Sequence, residues 1–287
     1  MTQDILDTEN FFCDPVVINL AHGEIEMGQF EFETSVEKIS DRIWRGHLHR
    51  GWRIGRVPNG GYVMAIGARA LSEALPHPHP QVINAFYLSP TVLGPIDCHV
   101  EILRSSKRTT HAVVKMLQKG EVKVQITAAY VDISNMSGPS WTDLAPVEIP
   151  AWDDCEDAGN TQLEFRQRVN VRLTSGGQVL ANGGPTGDAR FEGWIAHRDG
   201  SDPDILSLLM FADALPPPPF NIFGLAGWVP TVELSVQIRG IPNPGPIRGT
   251  LSTHAISDGV LEEDGYYWDA KGKLVALSRQ TARVRVN

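Results

Sequence analysis

The sequence predicts an α+β chain of two similar halves, each an antiparallel sheet wrapped round a central buried helix. Three observations lead there. The stretch Ile54 to Pro76, IGRVPNGGYVMAIGARALSEALP, reads as a helix with no wet face, since only Arg69, Ser72 and Glu73 interrupt the apolar and small residues from Tyr62 to Leu75. Four strands rich in Val, Ile, Thr and Tyr follow it. The same order of elements then returns in the second half of the chain.

Pro58, Asn59, Gly60 and Gly61 make the entry to the first helix, and Pro76, Pro78 and Pro80 stop it. Gly and Ala at 65, 67, 68 and 70 keep its cylinder thin, which suits close wrapping by a curved sheet. Phe30 to Ile39 and Asp41 to His49 alternate as a first hairpin. Val82 to Ser89, Ile96 to Arg104, His111 to Lys119 and Val122 to Ile133 are the later strands, punctuated by Gly94-Pro95 and Lys119-Gly120. The domain reading is a tail over 1–28, a first unit over 29–134, a Pro, Asp and Ser rich linker over 135–160, and a second unit over 161–287.

In the second unit Phe165 to Leu173 and Ala189 to Ala196 form a hairpin around a glycine-rich loop, Ser175 to Gly187. Asp202-Pro203-Asp204 starts the second helix, with Asp as cap and Pro at the first helical position, and the helix runs to Leu215. Trp228 to Arg239, Ile247 to Ser257, Glu262 to Asp269 and Lys273 to Val286 are its strands. Local text repeats as well: Glu73-Ala-Leu-Pro and Asp213-Ala-Leu-Pro, Gly94-Pro-Ile and Gly245-Pro-Ile, Gly120-Glu-Val and Gly272-Lys-Leu. These matches indicate an internal duplication.

Composition narrows the functions. The chain has 287 residues, 42% hydrophobic and 21% charged, enough for two cores. A net charge of -9 with no clustered basic face argues against a nucleic-acid partner. Cys13, Cys98 and Cys155 are odd in number and widely spaced, so neither a disulfide framework nor a metal site is indicated, and a reducing, cytoplasmic setting is expected. The acidic N-terminus lacks the order of a signal peptide, and no apolar run reaches membrane-spanning length.

Pro58-Asn-Gly-Gly-Tyr, Ala85-Phe-Tyr-Leu-Ser-Pro, Gln118-Lys-Gly-Glu-Val, Phe211-Ala-Asp-Ala and Val229-Pro-Thr together resemble the acyl-CoA thioesterase II (TesB-like) double hot-dog proteins, over about residues 30 to 287. The resemblance implies a tandem hot-dog fold. It also implies hydrolysis of an acyl-CoA or related acyl thioester, with no cofactor beyond the CoA of the substrate, and a homo-oligomer. The family's Asp, Thr and Gln around one water would by position be Asp213, Thr231 and Gln280.

Each has its own physics. Asp213 is expected in the last turn of its helix, where the dipole and burial both raise its pKa toward that of a general base; the competing reading is an exposed carboxylate at a frayed end. Gln280 lies on the core face of the last strand with Leu274, Ala276, Ser278, Ala282, Val284 and Val286, and its counterpart in the first repeat is Ala128. Alternation sets Thr231 with outward-facing Glu233, Ser235 and Gln237, unless the strand start at Pro230 is bulged. Asn59, Gly60 and Gly61 offer helix-end N–H groups to a thioester oxygen, or only permit a tight turn. His77 and His79 read as loop histidines; Trp44, Trp52, Trp194 and Trp228 brace cores or line an acyl pocket; Arg104, Lys107 and Arg108 form a solvated turn within reach of CoA phosphates. The rival function is a hot-dog protein that binds an acyl or polyketide-like ligand without cleaving it. A hot-dog hydratase is a further rival, though its Asp/His segment is not recognisable here.

Overall fold

The computed structural model describes residues 27–155, 157, 163–174, 185–224 and 228–285. The tail before residue 27 and the glycine-rich loop over 175–184 lie outside the described residues.

The buried helix of the first repeat is α2 (Gly60–Ala74), following a short α1 (Gln29–Glu33). Asn59 caps α2 by accepting from the Tyr62 amide at 2.9 Å, and every residue from Gly61 to Ala68 is buried. Its thinness has a local cause: a Cβ at Gly67 would stand 2.5 Å from Ile126 Cδ1. Around it lie β1 (Glu37–Ser40), β2 (Ile43–Leu48), β5 (His79–Tyr87), β6 (Gly94–Ser105), β7 (Thr110–Gln118) and β8 (Glu121–Val131), with a small hairpin of β3 (Arg53–Ile54) and β4 (Val57–Pro58) before the helix.

The second repeat has β9 (Val169–Leu173), β10 (Arg190–His197), α3 (Ile205–Phe211), a turn of helix α4 (Phe220–Phe223), β11 (Thr231–Ile238), β12 (Ile247–Ser252), β13 (Ile256–Ser257), β14 (Val260–Trp268) and β15 (Leu274–Arg283). Strand order across the main sheet is β1-β2-β6-β7-β8-β5-β11-β15-β14-β12-β10-β9, with β13 paired to β14. Read outward from its centre, each half has the same order, so the duplication is visible as a twofold about the β5–β11 seam. All pairings are antiparallel; Leu234 faces Ala85 and Val236 faces Ile83 across the seam.

Helices α2 and α3 run antiparallel inside this sheet. Gly61, in the first turn of α2, lies against Leu209 and Met210, while Arg69 of α2 reaches Asp204 at the start of α3, at 3.7 Å. The repeats are also clasped outside the helices. Glu33 is buried and accepts from Trp52 Nε1 at 2.7 Å and from Arg168 at 3.0 and 3.2 Å, and Glu164 takes Arg50 and Arg53 at 2.6 Å each.

Three sequence expectations are corrected. Phe30 to Ile39 is not one strand: Gln29–Glu33 is helical, and Thr34 Oγ1 donates back to the Phe30 carbonyl at 2.7 Å. Phe30 is there drawn into a stack on His197 and an edge contact with Trp52, a tertiary gain that overrides alternation. The cap of the second helix is Asp204 rather than Asp202; it forms a reciprocal capping box with Ser207, so Pro203 precedes the helix. That helix ends at Phe211, and Asp213 falls in the turn beyond it.

Candidate active site

Because α3 stops at Phe211, the Asp213 carboxylate is free to turn toward the first turn of α2. Its Oδ2 accepts from Asn59 Nδ2 at 2.8 Å and from the Gly61 amide at 3.0 Å. Asn59 Nδ2 also donates to the Asp213 carbonyl at 2.8 Å, so this one side chain caps α2 and grips Asp213 from two directions. The approach needs glycine. A Cβ at Gly61 would lie 2.8 Å from the Leu209 carbonyl oxygen and 2.9 Å from Met210 Cα, both backbone atoms that cannot swing aside.

Two expectations change here. The helix end that acts on Asp213 is the positive start of α2, not the negative end of its own helix, and it favours the charged form. Burial alone raises the carboxyl, against the Gly61, Gly60 and Asn59 hydrogen bonds, and the balance leaves it pushed up to about 6. The Gly61 amide, offered by the sequence reading to a thioester oxygen, is taken by that carboxylate. Tyr87 closes the side of the turn by donating to the Gly60 carbonyl at 2.8 Å.

The strand start at Thr231 is bulged. Thr231 pairs with Ala282 and Glu233 with Thr281, which leaves Val232 as the extra residue. Directly paired residues share a face, so Thr231 stands on the same side as buried Ala282 and Leu234, and Val232 is exposed instead. Simple alternation from Leu234 gives the opposite result.

Gln280 is buried on the core face of β15 as its strand parity requires. Its partner was not foreseen. Gln280 Nε2 donates at 2.7 Å to Oε2 of Glu263, which lies opposite it on β14 and is buried at 2% exposure. Burial, with the nearby Asp213 charge and then Glu262, pushes the Glu263 carboxyl up to about 8. Leu261, Glu263, Gly265 and Tyr267 alternate as the buried face of β14, so the same two-residue period that selects Gln280 also selects Glu263. Tyr267 completes the cluster, its hydroxyl donating to the Ala212 carbonyl at 3.2 Å and lying 3.4 Å from Ser278 Oγ.

The opposite ends of the helices are built differently. A groove of about 390 Å³ lies there, lined in part by Arg69, His79, Asp204 and Ile241. Its helix start is closed by its own cap, Asp204, and the residue meeting it from α2 is a cation, Arg69. The candidate base, Asp213, lies at the other end of the two helices, away from this groove.

Profiles of a paired N- and C-terminal domain match most of the sequence: the acyl-CoA thioesterase N-terminal domain over residues 48–133 and the C-terminal domain over residues 142–284. The chain belongs to the acyl-CoA thioesterase family. This thioesterase-family chain is 26% identical over 269 residues to an uncharacterised protein of Mycobacterium tuberculosis, a match covering 85% of this chain and 91% of that one. A solved structure from Thermobifida fusca, described as a thioesterase II candidate, superposes with a TM-score of 0.84 at 29% identity, covering 92% of this chain and all of that one. A hot-dog protein of unknown function from Alicyclobacillus acidocaldarius gives 0.82 at 20% identity, over 91% of this chain and 99% of that one. The double hot-dog architecture stands on these and on the strand order above.

The other histidines and tryptophans singled out in the sequence of this acyl-CoA thioesterase family member are placed as follows. His77 Nδ1 lies 2.8 Å from Thr110 Oγ1, and His79 Nδ1 accepts from the Ile133 amide at 3.2 Å. Trp44, Trp52 and Trp194 are buried, whereas Trp228 is 42% exposed. Among the described residues no helix is long and apolar enough to cross a membrane.

Proposed function

We propose that the protein hydrolyses acyl thioesters, with acyl-CoA as the substrate class, through a water held by Asp213, Thr231 and Gln280. The observation that carries this reading is the placement of Asp213: a partly exposed carboxylate gripped by Asn59 and Gly61 at a helix start, with its pKa moved to about 6. Such a group is mostly ionised at pH 7 and still basic enough to take a proton from water as its oxygen forms a bond to the carbonyl carbon.

In this step the water oxygen adds to the thioester carbon and its proton passes to Asp213. The tetrahedral intermediate then collapses with cleavage of the C–S bond, and Asp213 returns the proton to the departing sulfur. Only thioester and water are consumed, giving a free acid and a thiol. Gln280 Oε1 and the Thr231 hydroxyl orient the water. The Asn59-Gly60-Gly61 entry fixes the base, and its positive end faces the oxyanion as charge builds there.

Thiol release from short, medium and long acyl-CoAs tests this. Release by the wild type, lost in a folded Asp213→Asn variant, is the expected result. Binding of an acyl-CoA without any release overturns it and leaves the ligand-binding reading.

A further inference from the structure

Glu263 carries a carboxyl group buried at 2% exposure, and the duplication shows that the fold does not need it. In the first repeat Ala112 on β7 faces Ala128 on β8, both buried; in the second the equivalent pair is Glu263 on β14 and Gln280 on β15. Ile83 opposite Ala128 and Leu234 opposite Gln280 fix the correspondence from the other side. Two alanines suffice to close one hot dog. The other buries a carboxyl group and an amide at the same place.

The groups that face Glu263 do not neutralise a negative charge. Asp213 approaches from the turn after α3, Glu262 is its neighbour on β14, Gln280 comes from β15, and Tyr267 lies farther along β14. Among the described residues no Lys, Arg or His forms an ion pair with it. Glu263 Oε1 and Gln280 Oε1 are both buried without a hydrogen-bond partner among the described residues, and two such atoms on adjacent side chains mark a place that a water or a reacting group completes.

We propose that Glu263 is a positioning residue for the hydrolysis described above: it holds the Gln280 amide through Nε2 and does so as the neutral acid, leaving Asp213 the single carboxylate charge at the water. The inference rests on the hydrolase reading. With Nε2 engaged by Glu263, Gln280 presents its oxygen to the water, so one water O–H donates a hydrogen bond to Gln280 Oε1 while the other points to Asp213, which takes that proton, and a lone pair is left for the carbonyl carbon. Two carboxyl groups that feel each other's charge divide into one base and one acid. The separation agrees with Asp213 at about 6 and Glu263 at about 8. Ionisation of Glu263 adds a second negative charge where the oxyanion and thiolate develop.

The test compares wild type, Glu263→Gln and Glu263→Met for acyl-CoA thiol release between pH 6 and 9.5. Wild-type kcat/KM is expected to fall about tenfold from pH 7 to pH 9, following a group near 8. Neither variant has that group, so the ratio of variant to wild type rises about tenfold over the same interval. Glu263→Met also loses the tether, so its kcat lies below that of Glu263→Gln at every pH. An alkaline fall retained in both variants overturns the proposal, as does equal kcat in the two.

Thermal unfolding separates this failure from failure of the hydrolase reading. If wild type releases no thiol, the Tm difference between Glu263→Gln and wild type still reports the protonation of Glu263. It is expected to grow in favour of Gln from pH 4.5 to pH 8 and then level off. A difference independent of pH overturns the neutral-acid assignment without reference to activity, and Glu263→Met serves for this comparison too if Glu263→Gln does not fold.

Discussion

Replacing Asp213 by Asn is expected to stabilise the chain while disabling it. The folded carboxyl sits at about 6 against 3.8 for a free Asp. A shift of about 2 units corresponds to about 3 kcal/mol. The sign follows from proton binding: between those two values the folded chain holds a proton that the unfolded chain has lost, so stability falls as pH rises through the interval. Asn has no such loss, and its amide oxygen can still accept from Asn59 Nδ2 and the Gly61 amide. The variant is therefore expected to gain about 0.5 kcal/mol at pH 4 and about 3 kcal/mol at pH 8, with no further gain above pH 7 from this group. For a chain of this size that is roughly 6 °C in Tm at pH 8. Scanning calorimetry of both proteins at pH 4, 5, 6 and 8 measures it. A variant less stable than wild type at pH 8 would show that the helix-start hydrogen bonds outweigh burial, and the argument for a raised, basic Asp213 would fail.

Other consequences follow from the same contacts. Gly61→Ala drives a methyl group into the Leu209 carbonyl and Met210 Cα, so α2 and α3 must separate, at a cost of about 1–3 kcal/mol in chemical denaturation and with loss of activity. Thr231→Val keeps the shape beside Ala282 and removes one hydroxyl; kcat is expected to drop about tenfold, one hydrogen bond's worth, with stability within about 0.5 kcal/mol. Unchanged kcat would remove Thr231 from the water site. Arg168→Ala leaves the Glu33 carboxylate buried beside Trp52 without its cation and is expected to cost about 3 kcal/mol in urea unfolding, a loss that vanishes if Glu33 is also replaced by Gln. The acid limb of kcat/KM should turn near pH 6, following Asp213.

Features set by a local period were legible in the sequence, and features set by distant parts of the chain were not. The buried face of β15, and Gln280 on it, follows from two-residue alternation. Glu263 obeys the same period on β14, and applying it to Leu261, Gly265 and Tyr267 as well would have exposed it. The facing of Thr231 stayed open in the sequence because one extra residue, Val232, reverses the parity of the strand start, and Val229-Pro-Thr allows a bulge there without specifying it. For Asp213 the family resemblance supplied the candidate, but its surroundings were not legible: the helix start that holds it begins some 150 residues earlier in the chain. The α1 segment shows the same limit, because Phe30 answers to His197 and Trp52 rather than to its neighbours in sequence.

The most direct test of the account is steady-state thiol release from a panel of acyl-CoAs by wild type and Asp213→Asn, with folding of both verified by their unfolding transitions. The account predicts turnover by wild type, with an acid limb near pH 6, and a loss of at least a hundredfold in the Asn variant. Equal turnover by the two proteins would contradict it, because the carboxylate at the start of α2 would then play no part in the reaction.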